Sequence, residues 1–166
     1  MWSSSTGWPA TTTGRVSEAR YGTPKAAFKA LLTAEALHSR STSPAGRFTS
    51  YPAAALHYQR ARALGALGDL PAAIDSFQAS LRERATDERR SLTLTHARLA
   101  ETLLRLGHLA AACEHWGTFL DHRAQLHSSR VQRHVTTLRQ QLHPHRNRPD
   151  VAQLLARTVD FTAGRR

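Results

Sequence analysis

Apolar residues recur at intervals of three and four through most of the chain, with polar residues between them. That is the period of a helix with one buried face. From residue 53 onward the pattern predicts a succession of helices. The first spans Ala53–Leu67 and stops at Gly68. The second spans Pro71–Glu83, with Pro71 in its first turn and Ala73, Ile74, Phe77 and Leu81 along one face. A third covers Glu88–Leu106 and stops at Gly107. A fourth, Leu109–Gln125, carries Ala112, Cys113, Trp116, Phe119 and Leu120. The fifth, Ser128–Leu142, has the stripe Val131, Val135, Leu138, Leu142. A turn with two prolines follows over His143–Pro149, and a short closing helix over Asp150–Val159. Upstream, residues 24–38 read as a helix, with Thr23 as its cap and Ala27, Leu31, Ala34 and Leu37 on one face. Ser39–Pro52 reads as a linker. Residues 1–20 read as a poorly ordered lead-in, with a short helix at Val16–Tyr21. No segment alternates with period two, so the expected class is all-α.

The helices repeat. When Gly22, Gly68 and Gly107 are aligned, Ala27, Ala73 and Ala112 stand five residues later, and Leu31, Phe77 and Trp116 nine later. Ala34, Ser80 and Phe119 stand twelve after each glycine. The last two copies also match backwards: Ala61 with Ala100, Leu64 with Leu103, Leu67 with Leu106. A glycine accepts the left-handed conformation that ends a helix and lets the chain reverse. A small residue just inside the next helix lets the two backbones approach, and a large apolar residue one turn on fills the space beside the crossing. Each such hairpin leaves a face uncovered until another stacks on it.

This pattern resembles the tetratricopeptide repeat. The resemblance rests on Leu67-Gly68-Asp69-Leu70-Pro71-Ala72-Ala73-Ile74 with Phe77, and on Leu106-Gly107-His108-Leu109-Ala110-Ala111-Ala112-Cys113 with Trp116. It covers residues 22–125, with a partial repeat at 22–38 and repeats near 54–82 and 91–120. The copies stand 46 and 39 residues apart, longer than the family's period of about 34. The family's closing proline is missing, Ser80 replaces its usual alanine, and Phe119 is larger than its usual residue. The same hydrophobic pattern also suits a plain three- or four-helix bundle. The resemblance implies a right-handed stack of antiparallel helix pairs over residues 21–160. It also implies a concave groove lined by the first helix of each pair. At the matching positions that groove presents Tyr58, Arg62 and Ala66 from one copy and Ala97, Glu101 and Arg105 from the next. Two arginines and a tyrosine suit an extended peptide with an acidic side chain or a C-terminal carboxylate.

A narrower likeness lies in Ser128-Ser129-Arg130-Val131, Leu138-Arg139-Gln140-Gln141-Leu142-His143-Pro144-His145, Val151 and Leu154-Leu155. A basic helix and a short closing helix after long-spaced repeats resemble the C-terminal half of bacterial helix-turn-helix transcriptional regulators. Such a regulator carries a DNA-reading segment before its repeats. Residues 1–20 are too short and too polar for one, and nothing before Gly22 reads as a first helix. The chain thus reads as beginning inside a repeat, as a truncated regulator or a repeat protein with its partner elsewhere. The uncovered apolar end at residues 22–38 suggests self-association, as a homodimer.

Composition narrows the function. At 166 residues and 40% hydrophobic, the chain has the size of one domain and buries about two-thirds of its unfolded surface on folding. There is no apolar run long enough for a transmembrane helix, and the start lacks a signal peptide's basic and apolar regions. One cysteine, Cys113, excludes an internal disulfide framework. A cytoplasmic setting is the expectation, with no membrane. Lys and Arg number 23 against 12 Asp and Glu, for a net charge of +11. Nearly all of the positive charge is arginine. Such a balance favours acidic partners or polyanions without choosing between them.

The acid-free interval between Asp121 and Asp150 concentrates that charge. It holds Arg123, Arg130, Arg133, Arg139, Arg146 and Arg148, with His122, His127, His134, His143 and His145. Arg130, Arg133 and Arg139 lie off the Val131–Leu142 stripe and are the anion-contact candidates. Phosphate contact there would be salt-dependent and blind to sequence. The interval has no aromatic side chain to stack bases. Chemistry has weaker signals. His108, His115 and His122 recur every seven residues, too far apart for helical ligand pairs, and no His-x-x-x-His or Cys-x-x-Cys occurs. Cys113 sits beside the crossing alanine, as an inert core residue would. Nucleotide-binding and nucleophile motifs are missing. The expectation is therefore a protein- or peptide-binding module with no cofactor and no catalysis. Weak, non-specific nucleic-acid binding through residues 122–148 is the alternative.

Overall fold

The computed structural model describes residues 53–123, 126 and 128–163, together with scattered positions between 23 and 36. The expectations for 1–20, for Gly22, Ala27, Leu31, Ala34 and Leu37, and for the linker 39–52 lie outside the described residues. So do those for Gln125 and His127. At the start of the upstream segment, Thr23 Oγ1 accepts from Ala26 N at 3.3 Å, and the described positions from 25 to 36 are helical.

The described residues are all-α, without strands. Six α-helices follow one another: α1 Ala53–Leu67, α2 Leu70–Glu83, α3 Arg89–Arg105, α4 Leu109–Arg123, α5 Ser129–Leu142 and α6 Pro149–Ala163. One turn of 3₁₀ helix, His143–His145, joins the last two. Helix starts have local causes. Asp69 caps α2 by accepting from Ala72 N at 3.2 Å, and Ser128 caps α5 by accepting from Val131 N at 3.2 Å. The last helix begins one residue earlier than the pattern predicts, at Pro149, and runs past Val159 to Ala163. Proline suits a first helical turn, and no helix breaker stands before Gly164.

The two glycine turns share one geometry. Gly68 and Gly107 both have φ of 90°. Asp69 N donates to Leu64 O at 3.0 Å and His108 N to Leu103 O at 2.9 Å. These bonds close the helix ends in the manner of a Schellman motif. Ser80, near the end of α2, donates its hydroxyl to Ala54 O at the start of α1, 2.6 Å away. The two helices are thus antiparallel.

Helix α1 packs on α2, and α3 on α4. Helix α3 also touches α2 and α5, while α6 covers α4 and α5. Two apolar clusters result. The first joins Ala61, Ile74, Phe77, Leu99, Leu103 and Ala112. The second gathers Leu94, Ala97, Ala100, Trp116, Phe119 and Leu120 with Val131, Val135, Leu138 and Leu142 of α5 and Val151 and Leu154 of α6. Ala73, Ala112, Trp116 and Phe119 are fully buried, and Phe77 nearly so. Trp116 meets Phe119 edge-on, with ring centroids 5.4 Å apart. Helix α3 carries three buried threonines, Thr93, Thr95 and Thr102, and each donates to the carbonyl four residues back. Their hydroxyls therefore enter the core satisfied.

Candidate binding groove

Helices α1 and α3 border a cavity of about 280 Å³. Ala61, Gly65 and Ala66 of α1 and Phe77 of α2 give it apolar walls. Arg62 of α1 enters it, with Arg98, Glu101, Thr102 and Arg105 of α3 and Gln141 of α5. The helical period explains the convergence: 62 and 66 share one face of α1, and 98, 101, 102 and 105 share one face of α3. Gly65 of α1 faces Ala73 of α2. A Cβ there would lie 3.8 Å from that of Ala73 and 4.0 Å from Arg105 Nη1.

Three arginines share this groove with one carboxylate. Arg62 and Arg105 are exposed. Arg62 Nη1 donates to Gln59 Oε1 at 3.4 Å, and Arg105 Nη1 to Gly65 O at 3.3 Å. Both contacts are long. Glu101 is held tightly on both oxygens. It accepts from Arg98 Nη1 at 2.9 Å and from the ring of His134 at 2.7 Å. Burial pushes the Glu101 carboxyl upward, but the His134 bond and the Arg98 charge outweigh it and hold the group below its usual range. Arg98 Nε and Gln141 Oε1 are buried without a hydrogen-bond partner, although both side chains line the groove.

Four of the six residues expected at the groove line it: Arg62, Ala66, Glu101 and Arg105. Tyr58 stands aside, half-buried, with its ring edge-on to Phe77 at 5.7 Å. Ala97 does not reach the groove. It is fully buried in the second apolar cluster, because it lies three residues from both Leu94 and Ala100 and shares their face. Arg98, Gln141 and His134 carry no expectation of their own as groove residues. Arg98 is seven residues from Arg105, two turns along the same face. His134 falls on the apolar stripe of α5 between Val131 and Leu138, where a polar residue signals a buried partner.

The other candidates sit elsewhere. Arg130, Arg133 and Arg139 are exposed on α5, and Arg139 borders a shallow hollow with Thr136, Gln140 and His143. His108 is exposed at the α3–α4 turn. His115 and His122 meet a third histidine, His96 of α3. His96 Nδ1 lies 3.0 Å from His115 Nδ1, and the His96 and His122 ring centroids are 6.4 Å apart. Burial, then the His115 and His122 charges, lower the His96 pKa to about 4. Among the described residues, no group of three or more His, Cys, Asp or Glu is placed to hold a metal ion. Cys113 is buried, and burial raises its thiol pKa. No helix among the described residues is long and apolar enough to cross a membrane. Comparison with protein-family models, characterised proteins and solved structures finds no match.

Proposed function

We propose that this chain is a non-enzymatic interaction module whose α1–α3 groove holds an extended peptide bearing carboxylates. One observation carries the reading: three arginines from two helices converge on a groove with apolar walls, and the single carboxylate among them is already bonded on both oxygens. Arg62 and Arg105 then remain as the docking cations, since their long contacts are easily exchanged for a bidentate carboxylate.

In this reading the helix pairs form a tetratricopeptide-like right-handed stack. The left-handed glycines and the buried alanines at equal spacing in both pairs support it. The chain would serve in the cytoplasm as the sensor or regulatory part of a bacterial transcriptional regulator, where peptide binding alters how the repeats pack against a partner. A fluorescein-labelled (Glu-Ala)₃ peptide with a free C-terminal carboxylate tests the groove by anisotropy. Arg62→Ala and Arg105→Ala should each weaken binding about tenfold, the scale of one charged hydrogen bond. Neutralising Arg130, Arg133 and Arg139 should leave peptide binding unchanged. Tight binding to random duplex DNA at physiological salt, lost in that triple variant, would favour the nucleic-acid alternative instead.

A further inference from the structure

We infer that His134 is a positioning residue for the groove: its ring anchors Glu101 and so keeps that carboxylate from neutralising Arg105. The inference rests on the anion-binding reading given above. Glu101 stands four residues before Arg105 on the same face of α3. A carboxylate followed by a cation at that spacing is the favoured order for a helix-surface ion pair. The pair does not form. Glu101 Oε1 instead accepts from His134 Nδ1 at 2.7 Å and Oε2 from Arg98 Nη1 at 2.9 Å, while Arg105 turns to the Gly65 carbonyl of α1.

The anchor is largely buried. The Glu101 and His134 side chains are only 12% and 7% exposed, so little water competes for their bond and its strength is raised. Phe119 packs edge-on against the His134 ring, with centroids 6.2 Å apart at 73°. That contact fixes the direction in which Nδ1 points. His134 also lies seven residues before Gln141, on the same face of α5, so one helix supplies both the anchor and a groove-lining acceptor. Without the His134 donor, Glu101 Oε1 is left without its partner. Besides Arg98, which already bonds Oε2, the nearest cation along α3 is Arg105. Once paired with Glu101, Arg105 no longer presents its charge to a ligand.

The (Glu-Ala)₃ probe tests this in the full chain, with circular dichroism to check folding. His134→Leu should weaken binding about tenfold, as though Arg105 itself were lost. His134→Asn places an amide donor near the position of Nδ1 and should restore binding. The decisive comparison uses Glu101→Gln, which has no charge to misdirect. In that background, adding His134→Leu should change affinity by less than twofold, whereas mere damage to packing would weaken it as much as in the wild type. The inference is overturned if His134→Leu binds like wild type, or if its loss is equally large in the Glu101→Gln background. If Arg62→Ala and Arg105→Ala leave probe binding intact, or the wild type does not bind, the groove reading fails as well.

Discussion

Single residues carry the turns of this fold. Gly68 and Gly107 occupy the left-handed region, and nothing lies within 4 Å of where a Cβ would stand at either. Any cost of a side chain there is therefore backbone strain alone. Gly107→Ala, and separately Gly68→Ala, should each destabilise the protein by about 1–2 kcal/mol, measured as a lower midpoint of urea unfolding with unchanged slope. An equal effect at both sites would show that the two turns are equivalent; no effect would mean that the helix ends relax to a right-handed turn. At this scale much was readable in the sequence. The spacing of Gly, Ala and a large apolar residue falls on a left-handed turn, a buried small residue and the core in both helix pairs, because each position tolerates few side chains. Ala97 was not readable in the same way. An alanine fits a groove wall and a core equally well, and only the packing of Leu94 and Ala100 around it decides. Ser80 is similar: its hydroxyl looks like a departure until Ala54 O appears as its partner.

Between helices, the seam of α3 and α4 holds three histidines that the sequence separates. The spacing of His108, His115 and His122 points to α4 and the turn before it, but the ring that joins two of them, His96, comes from α3. Its partnership depends on the register of one helix against its neighbour, which no single-helix pattern contains. The seam has a consequence for acid stability. His96 is held at about 4 in the folded protein by burial and by His115 and His122, against about 6.5 in an unfolded chain. His115 is lowered too, chiefly by burial, with Glu114 acting in the opposite direction. A lowered pKa means that the unfolded state binds the proton first. Stability is therefore full above pH 6.5 and declines as the pH falls from about 6.5 towards 4. Melting temperatures across that range should drop in the wild type and drop less in His96→Gln. Glu101, whose pKa is also lowered, is lost only at lower pH, below its ordinary carboxylate range, so the two effects separate on the pH axis. A wild-type profile that is flat between pH 7 and 4.5 would refute the histidine contribution.

At the scale of the molecule, α3 belongs to both apolar clusters. Leu99 and Leu103 face the first, with α1 and α2; Leu94, Ala97 and Ala100 face the second, with α4, α5 and α6. One helix with two buried sides makes the clusters interdependent, although the helix pairs look modular in the sequence. Helices α5 and α6 supply the cover for Trp116, Phe119 and Leu120. A chain ending at residue 123 would leave those three large side chains facing water, at about 1.5–3 kcal/mol for each one fully exposed. The sum is comparable to the whole stability of a small domain. It would also lose the His134 anchor of Glu101, leaving that carboxylate without one of its two bonds. Such a truncated chain should show no cooperative thermal transition by circular dichroism and should bind the dye 1-anilinonaphthalene-8-sulfonate, as loosely packed chains do. The full chain should melt in one step, with coincident far-ultraviolet and tryptophan-fluorescence transitions. Two separate steps in the full chain, or a cooperative melt of the truncated one, would mean that α1–α4 fold as a unit and that α5 and α6 are an addition. The groove would then lack its α5 wall without losing α1 and α3. The two outcomes thus decide whether the groove is a property of one helix pair laid on another or needs α5 and α6 as well.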